Sequence, residues 1–274
     1  MNSTPTATLT AEDPFELSLP ATTRWVEPVT RMIADELLDA SALPPGAHVL
    51  DVGAGTGPLT ISAALRGLRA NAIDTSPLLI NHIAGRLAGL PSLPEGTSAE
   101  VMDAMALKYP DDSFDAAFSV FTVMFLGPGV PTALSELLRV LRPGATLQVV
   151  HWAAVDGSPL IRILSEAASD IGAPIEMPFE YLRSEELSAA LSTAGFVDVE
   201  VRPYTADYPF PAAEDVLQEF QSFYVKLPPY RALSPARRAE LEEAMTRRAR
   251  AVETGERSRP ILRAQIASAQ VPTA

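Results

Sequence analysis

The sequence predicts an α/β fold: a seven-stranded, mostly parallel sheet with helices on both faces. A helical cap is expected from the N-terminus and from an insert between the sixth and seventh strands. Three observations predict this fold. Short apolar runs alternate with helical segments from His48 to Trp152, a pitch that implies parallel pairing through right-handed crossovers. A glycine-rich turn, Gly53-Ala54-Gly55-Thr56-Gly57, joins the first apolar run to the helical segment after it. The 274 residues are 47% hydrophobic and 20% charged, the balance of a globular chain able to bury one large core.

Taken in order, residues 1–20 are rich in Thr, Ser, Ala and Pro and read as a flexible lead-in. Residues 21–274 read as a single domain, with about 21–43 and 204–256 contributing the cap. Trp25, Val29, Ile33 and Leu37 fall at helical spacing, and Pro44-Pro45-Gly46 closes that helix. Strands are expected at His48–Val52, Arg69–Ile73, Ala99–Met102, Phe114–Val120 and Thr146–Trp152. Helices are expected at Leu59–Leu68, Pro77–Ala88 and Pro131–Leu141, the last with Leu134, Leu137, Leu138 and Leu141 on one face. After Trp152 the pattern changes. Helices at Pro159–Ile171 and Ser184–Ala194 precede a sixth strand, Phe196–Arg202. An aromatic, proline-rich stretch from Tyr204 to Pro211 follows, then helices at Glu214–Val225 and Ser234–Thr254 and a seventh strand at Ile261–Ala269. No internal repeat is visible.

Composition narrows the function classes. The formal net charge is −13, from 21 basic and 34 acidic residues, so the surface repels nucleic-acid backbones and anionic lipid. The one basic stretch, Arg237-Arg238 to Arg250, is interleaved with Glu240, Glu242 and Glu243 and reads as a solvated helix face. There is no cysteine, which excludes disulfides, thiolate catalysis and cysteine-ligated zinc. No signal-peptide pattern and no apolar run of ~20 residues is present, so a cytoplasmic protein without a membrane span is expected. No metal-ligating cluster, phosphate-loop lysine or nucleophile elbow stands out. The sequence leaves open whether the chain forms a homo-oligomer.

The chemistry concentrates at the glycine turn. The first strand is apolar and ends at Asp51, and Gly53, Gly55 and Gly57 follow at alternate positions. Glycine supplies the backbone angles of a tight strand-to-helix turn and lets a ligand lie against bare backbone. Pro58 stands where the helix begins, a position at which its missing N–H costs nothing. It also takes the place of the third glycine in the dinucleotide pattern G-x-G-x-x-G, so the spacing argues against a nicotinamide cofactor. Asp51 next to the turn suits a ligand with a cationic amino group and disfavours one with phosphates.

Leu50-Asp51-Val52-Gly53-Ala54-Gly55-Thr56-Gly57 resembles the first motif of the class I S-adenosylmethionine (SAM) dependent methyltransferases, a Rossmann-like family. The resemblance spans roughly residues 45–152 and is nearest to the ubiquinone/menaquinone-type, small-molecule subgroup. It implies roles residue by residue. Asp51, Gly53, Ala54 and Gly55 would form the cofactor loop. Asp74, followed by Thr75, would accept both ribose hydroxyls, as a two-oxygen carboxylate suits a vicinal diol. Asp103 would receive the adenine amino group and the Ala104 N–H a ring nitrogen. The Ser119 carbonyl would meet the methionine part. Pro110 to Asp115 and Leu138 to Ala145 resemble the family's leads into strands four and five. The same residues admit plainer roles: Asp51 as a turn cap, Asp74 to Ser76 as a helix N-cap, Asp103 as a loop acid, Asp115 as a structural residue.

The resemblance implies SAM as cofactor, S-adenosylhomocysteine (SAH) as its product and a small-molecule acceptor, apolar or aromatic. Alternatives are a SAM-binding protein that catalyses a non-methylation reaction, or a binding module. Trp25, Trp152 and Tyr224 are the candidate acceptor contacts and His151 the candidate polar group at the acceptor, with packing as the competing role of Tyr224 and His151. Some related enzymes carry a histidine pair after strand four. The matching run here, Phe121 to Leu126, has none and reads as an apolar wall.

Overall fold

A computed structural model describes residues 18–154, 157–174, 184–224, 228–257 and 261–273. Most of the expected lead-in therefore lies outside the described residues. Its last part does not: a short α1 (Leu19–Ala21) and a π-helical turn (Thr22–Val26) run directly into α2 (Glu27–Ser41). Val29, Ile33 and Leu37 are buried on one face of α2, as their spacing predicts, and Ala42 ends the helix in the left-handed region.

The strands are β1 (His48–Val52), β2 (Arg69–Asp74), β3 (Ser98–Val101), β4 (Phe114–Val120), β5 (Leu141–Trp152), β6 (Val197–Asp207) and β7 (Ile261–Gln270). They form one sheet of order β3-β2-β1-β4-β5-β7-β6, parallel except for β7, which runs antiparallel to both its neighbours. The helices are α3 (Pro58–Leu65), α4 (Pro77–Ala88), α5 (Val130–Val140), α6 (Pro159–Asp170), α7 (Ser184–Ala194), α8 (Val216–Tyr224), α9 (Pro228–Ala232) and α10 (Pro235–Glu253).

Strand alternation splits the core into two layers. Val49, Ala70, Ala116, Phe118 and Val150 pack under α2, α3, α6, α8 and α10, and Ala72 under α4. Leu50, Ala117, Leu147 and Val149 pack under α5 and α7. Three arginines of the α10 run are in ion pairs: Arg237 with Glu240, Arg247 with Glu243, and Arg248 with Glu166 and Asp170.

Two strands depart most from their expected bounds, and the short helix α9 stands where none is expected. β6 runs to Asp207, five residues past its expected end, because pairing with β7 continues to Asp207↔Ile261. Pro203 is tolerated inside it because β6 is the edge strand, where a missing N–H breaks no ladder. The insert therefore begins later than residue 204. β5 starts at Leu141, which pairs with Phe114 ahead of a register shift, so the Arg142-Pro143-Gly144 turn belongs to the strand.

Candidate functional site: a glycine loop at the strand ends

The strand order reverses between β1 and β4. The chain leaves β1 for the α3 layer and β4 for the α5 layer, which opens a crevice at the carboxyl ends of the strands. β1 and β4 pair no further than Asp51↔Phe118; beyond that point β1 becomes the glycine loop.

Gly53, Gly55 and Gly57 have φ of +68°, +58° and +84°, so each occupies the left-handed region. Gly53 is also closed in. A Cβ there would stand 2.2 Å from Thr122 Cγ2 and 2.6 Å from Thr122 Cβ. Gly55 is the opposite case, since a Cβ there would meet no protein atom within 4 Å. The loop's donors are mostly used internally. The N–H groups of Gly53 and Ala54 both donate to Ile73 O (2.8 and 3.0 Å), that of Gly57 to Ala54 O (2.8 Å), and that of Gly55 to Asp74 Oδ2 (3.0 Å). A pyrophosphate turn works the other way, aiming its N–H groups at the anion. This loop instead offers bare backbone over Gly55, with carboxylates on either side, which fits a ligand carrying hydroxyls and a cationic amine.

Asp51 is 2% exposed, and its Oδ2 accepts from the Thr60 N–H (3.1 Å) and the Thr60 hydroxyl (2.6 Å) at the first turn of α3. Burial pushes its carboxyl up to about 7; the Thr60 bonds oppose the rise and the nearby Asp74 charge adds to it. The folded chain holds a proton at Asp51 that the unfolded chain has lost, so ligand-free stability falls as pH rises from about 4 to about 7. A cation brought beside the carboxyl favours the ionised form. SAH binding is therefore expected to tighten severalfold between pH 6 and pH 8, and Asp51→Asn to flatten that dependence while weakening binding. Calorimetric titrations at a series of pH values check both; a wild-type affinity independent of pH contradicts the assignment.

Asp74 ends β2, half-buried, with Oδ1 accepting from the Ser76 N–H (3.0 Å) and Oδ2 from Gly55. Thr75 is exposed beside it, and Ser76 rather than Asp74 caps α4, accepting from the Leu79 N–H. Met102 N–H donates to Asp74 O (3.0 Å), which stitches the end of β3 to that of β2 and brings Asp103 to the same edge. Asp103 is exposed, its Oδ1 accepting from the Met105 N–H (2.9 Å), and Ala104 is buried. No helix is described between β3 and β4. Arg139 fastens that crossover instead, donating to Leu107 O (3.0 Å) and Tyr109 O (2.8 Å) while paired with Glu136 and Asp111.

Ser119 is fully buried, and its hydroxyl has no partner among the described residues. The Phe121 N–H donates to Val150 O (2.9 Å), so alternation turns the Ser119 peptide groups towards β5 and the Val120 carbonyl towards the β1 side. The Thr122 hydroxyl lies 3.4 Å from that carbonyl and donates to Gly53 O at 3.1 Å. Sequence reasoning missed Thr122. The signal for it, a small β-branched residue just after strand four, becomes specific only once Gly53 is known to lie beneath it. Phe121 was also missed as a conformational outlier. It holds φ +58°, a strained angle for an aromatic residue, at the lip of the crevice.

Beside this lip Trp152 stands edge-on to Phe125 (ring centroids 5.4 Å apart) and tilted against Phe121 (6.3 Å). Phe125 is 48% exposed. Trp25 is half-buried in the π-helical turn; its Nε1 donates to Glu219 Oε2 (2.9 Å), and Arg24 pairs with the same carboxylate, which ties the N-terminal helix to α8. Tyr224 is 2% exposed and donates to Leu160 O (3.2 Å), so the structure places it in the packed layer under α8. His151 is fully buried and alternates to the α5 side of the sheet, away from Trp152, with Nδ1 at 3.0 Å from Trp152 O; burial lowers its pKa. The structure thus brings Trp152 to the crevice with two phenylalanines, and does not bring His151 or Tyr224 to the same surface.

A family described as a methyltransferase domain matches residues 50–149. A malonyl-[acyl-carrier protein] O-methyltransferase of Halorhodospira halophila is 30% identical over 225 residues, 78% of this chain and 72% of that one. The S-adenosyl-L-methionine-dependent Diels-Alderase iliD of a Neonectria species is 33% identical over 190 residues, 65% and 71% of the two chains. Other likenesses are partial: the chain spans 44% of the length of an uncharacterised Mycobacterium tuberculosis protein to which it is 35% identical. The crystal structure of the [4+2]-cyclase SpnF matches with a TM-score of 0.57 at 20% identity, over 89% of this chain and 81% of that one, a likeness of fold alone. No described helix is long and apolar enough to cross a membrane. On its fold, its glycine loop and these relatives, the chain belongs to the class I SAM-dependent methyltransferase family.

Proposed function

We propose that the chain transfers a methyl group from SAM to a small apolar or aromatic acceptor. The acceptor is held against Phe121, Phe125 and Trp152 at the carboxyl end of β4 and β5. The observation that carries this reading is the aromatic lip itself, exposed at Phe125 and contiguous through Phe121 and Thr122 with the glycine loop.

When bound, SAM supplies a methyl group already activated by its sulfonium. The protein's task is then alignment and exclusion of water. In this reading Asp74 accepts the ribose hydroxyls, Asp103 and the Ala104 N–H hold the adenine edge, and Asp51 sets a negative potential beside the amino group. The Val120 carbonyl, turned to the β1 side, takes the role that the resemblance gave to Ser119. The aromatic lip orients the acceptor and keeps the space in front of the methyl dry. None of the three lip side chains titrates, so the acceptor atom must be nucleophilic without a base drawn from them.

A second reading is favoured by the 33% identity to a SAM-dependent Diels-Alderase: bound SAM organises the site while the aromatic lip templates a rearrangement of its guest. Turnover with methyl-labelled SAM separates the two. Label in the product supports methyl transfer; product formed with all label still in SAM supports the templating role and overturns the first. Trp152→Ala tests the lip. We expect it to raise the acceptor KM at least ~10-fold, from lost apolar contact, with the SAH Kd within about twofold. An unchanged acceptor KM places the guest elsewhere.

A further inference from the structure

The glycine loop is held from three directions. Thr122 reaches Gly53 O from the end of β4, and Asp74 takes the Gly55 N–H from the end of β2. The third hold comes from the helix layer. Arg86, in the last turn of α4, donates through Nη1 to Thr56 O at 2.6 Å. Its Nη2 lies 2.8 Å from Glu27 Oε1, at the start of α2. Thr56 is 4% exposed and the Glu27 side chain 8%, while Arg86 is 23% exposed, so both contacts are partly shielded from bulk water. One guanidinium therefore bridges the cofactor loop and the N-terminal helix.

Glu27 is an expensive residue to bury here. Its Oε2 has no partner among the described residues, and its Oε1 is shared between Arg86 and Arg31 (3.0 Å). A carboxylate in that setting holds its place only while cations face it. Arg31, one turn along α2, is 39% exposed and, among the described residues, pairs with Glu27 alone. Arg86 is the partner that also grips the loop. The π-helical turn Thr22–Val26 sits immediately before Glu27, and Trp25 within it is tied to Glu219 on α8.

We propose that Glu27 and Arg86 are a positioning pair: docking of the N-terminal helix sets Arg86, and Arg86 sets the glycine loop in its cofactor-binding shape. Neither residue is proposed to touch the cofactor. The proposal rests on cofactor binding at this loop and is independent of the acceptor's identity.

The test is a double-mutant cycle on the full chain with SAH as the probe. Arg86→Met keeps the aliphatic stem and removes both bonds. We expect it to weaken SAH binding about 10-fold, Glu27→Gln to weaken it about threefold, and the double variant to bind no worse than Arg86→Met alone. Amide exchange of the ligand-free proteins supplies the readout that a general loss of packing would not produce. The Gly57 amide, bonded to Ala54 O across the loop, should exchange faster in both variants, while amides of the β1–β4 ladder keep their wild-type protection. SAH affinity unchanged within twofold in Arg86→Met, additive losses in the double variant, or exchange accelerated equally across the sheet would each overturn the proposal. Failure of the wild-type chain to bind SAH would instead remove the cofactor reading, and with it this one.

Discussion

Replacing Gly53 with alanine is expected to abolish measurable SAH binding and to lower the melting temperature by roughly 5–15 °C. Two costs combine. The residue holds φ +68°, which costs an L-residue ~1–2 kcal/mol. The new Cβ would overlap Thr122 at 2.2 to 2.6 Å, and the contact includes Thr122 Cβ, which no rotamer change can move. Overpacking of this kind costs about 1–3 kcal/mol, and each kcal/mol shifts the melting temperature by ~2–4 °C in a chain of this size. The alternative to paying this strain in place is for the Thr122 backbone to move, which breaks its bond to Gly53 O and carries Phe121 with it. Adding Thr122→Gly should recover the overlap part of the loss and leave the φ part, which differential scanning calorimetry of the two variants resolves. Gly55→Ala provides the contrast, since its Cβ meets no protein atom within 4 Å. It should cost little more than its φ strain in stability yet still weaken SAH binding strongly, because the proposed site places the ligand in the open space there.

Asp74→Ala should raise the SAH dissociation constant about 100-fold, or ~2.7 kcal/mol. Hydrogen bonds to a charged carboxylate are worth ~1.5–3 kcal/mol each, and the ribose offers two hydroxyls. The same carboxylate orders the loop through the Gly55 N–H and the start of α4 through the Ser76 N–H, so part of the loss comes from a loosened site. Asp74→Asn separates the parts. Its amide oxygen can still accept from Gly55 but presents a donor where Ser76 or the ribose needs an acceptor. A loss of about 10-fold is expected, measured by calorimetric titration. Asp74→Ala binding SAH as wild type does would exclude this carboxylate from the cofactor site.

Much of this arrangement is legible in the sequence because its signals are local. Alternating apolar runs place β1, β2 and β4 to within a residue, and three alternate glycines followed by proline identify the turn. Asp51, Asp74 and Asp103 stand out because each lies within two residues of a strand's end, and a parallel sheet brings those ends to one edge. What was not legible depends on pairing partners distant in the chain. β6 continues past Pro203 only because β7 lies beside it and nothing lies beyond it. The strained Phe121 and the closeness of Thr122 to Gly53 need the β1–β4 crevice to exist first. Arg86 looks like one more exposed helix arginine until folding sets it between Thr56 and Glu27. His151 and Trp152 are adjacent in sequence, yet strand alternation sends them to opposite faces, which is why only the second stands beside Phe121 and Phe125.

The most direct measurement of the central claim is a structure of the chain with SAH. Expected are the ribose hydroxyls on Asp74, the adenine beside Asp103 and Ala104, bare Gly55 backbone under the ligand, and the sulfur facing Phe121 and Trp152. SAH bound away from Gly53–Gly57, or bound there with its sulfur turned from the aromatic lip, would contradict it.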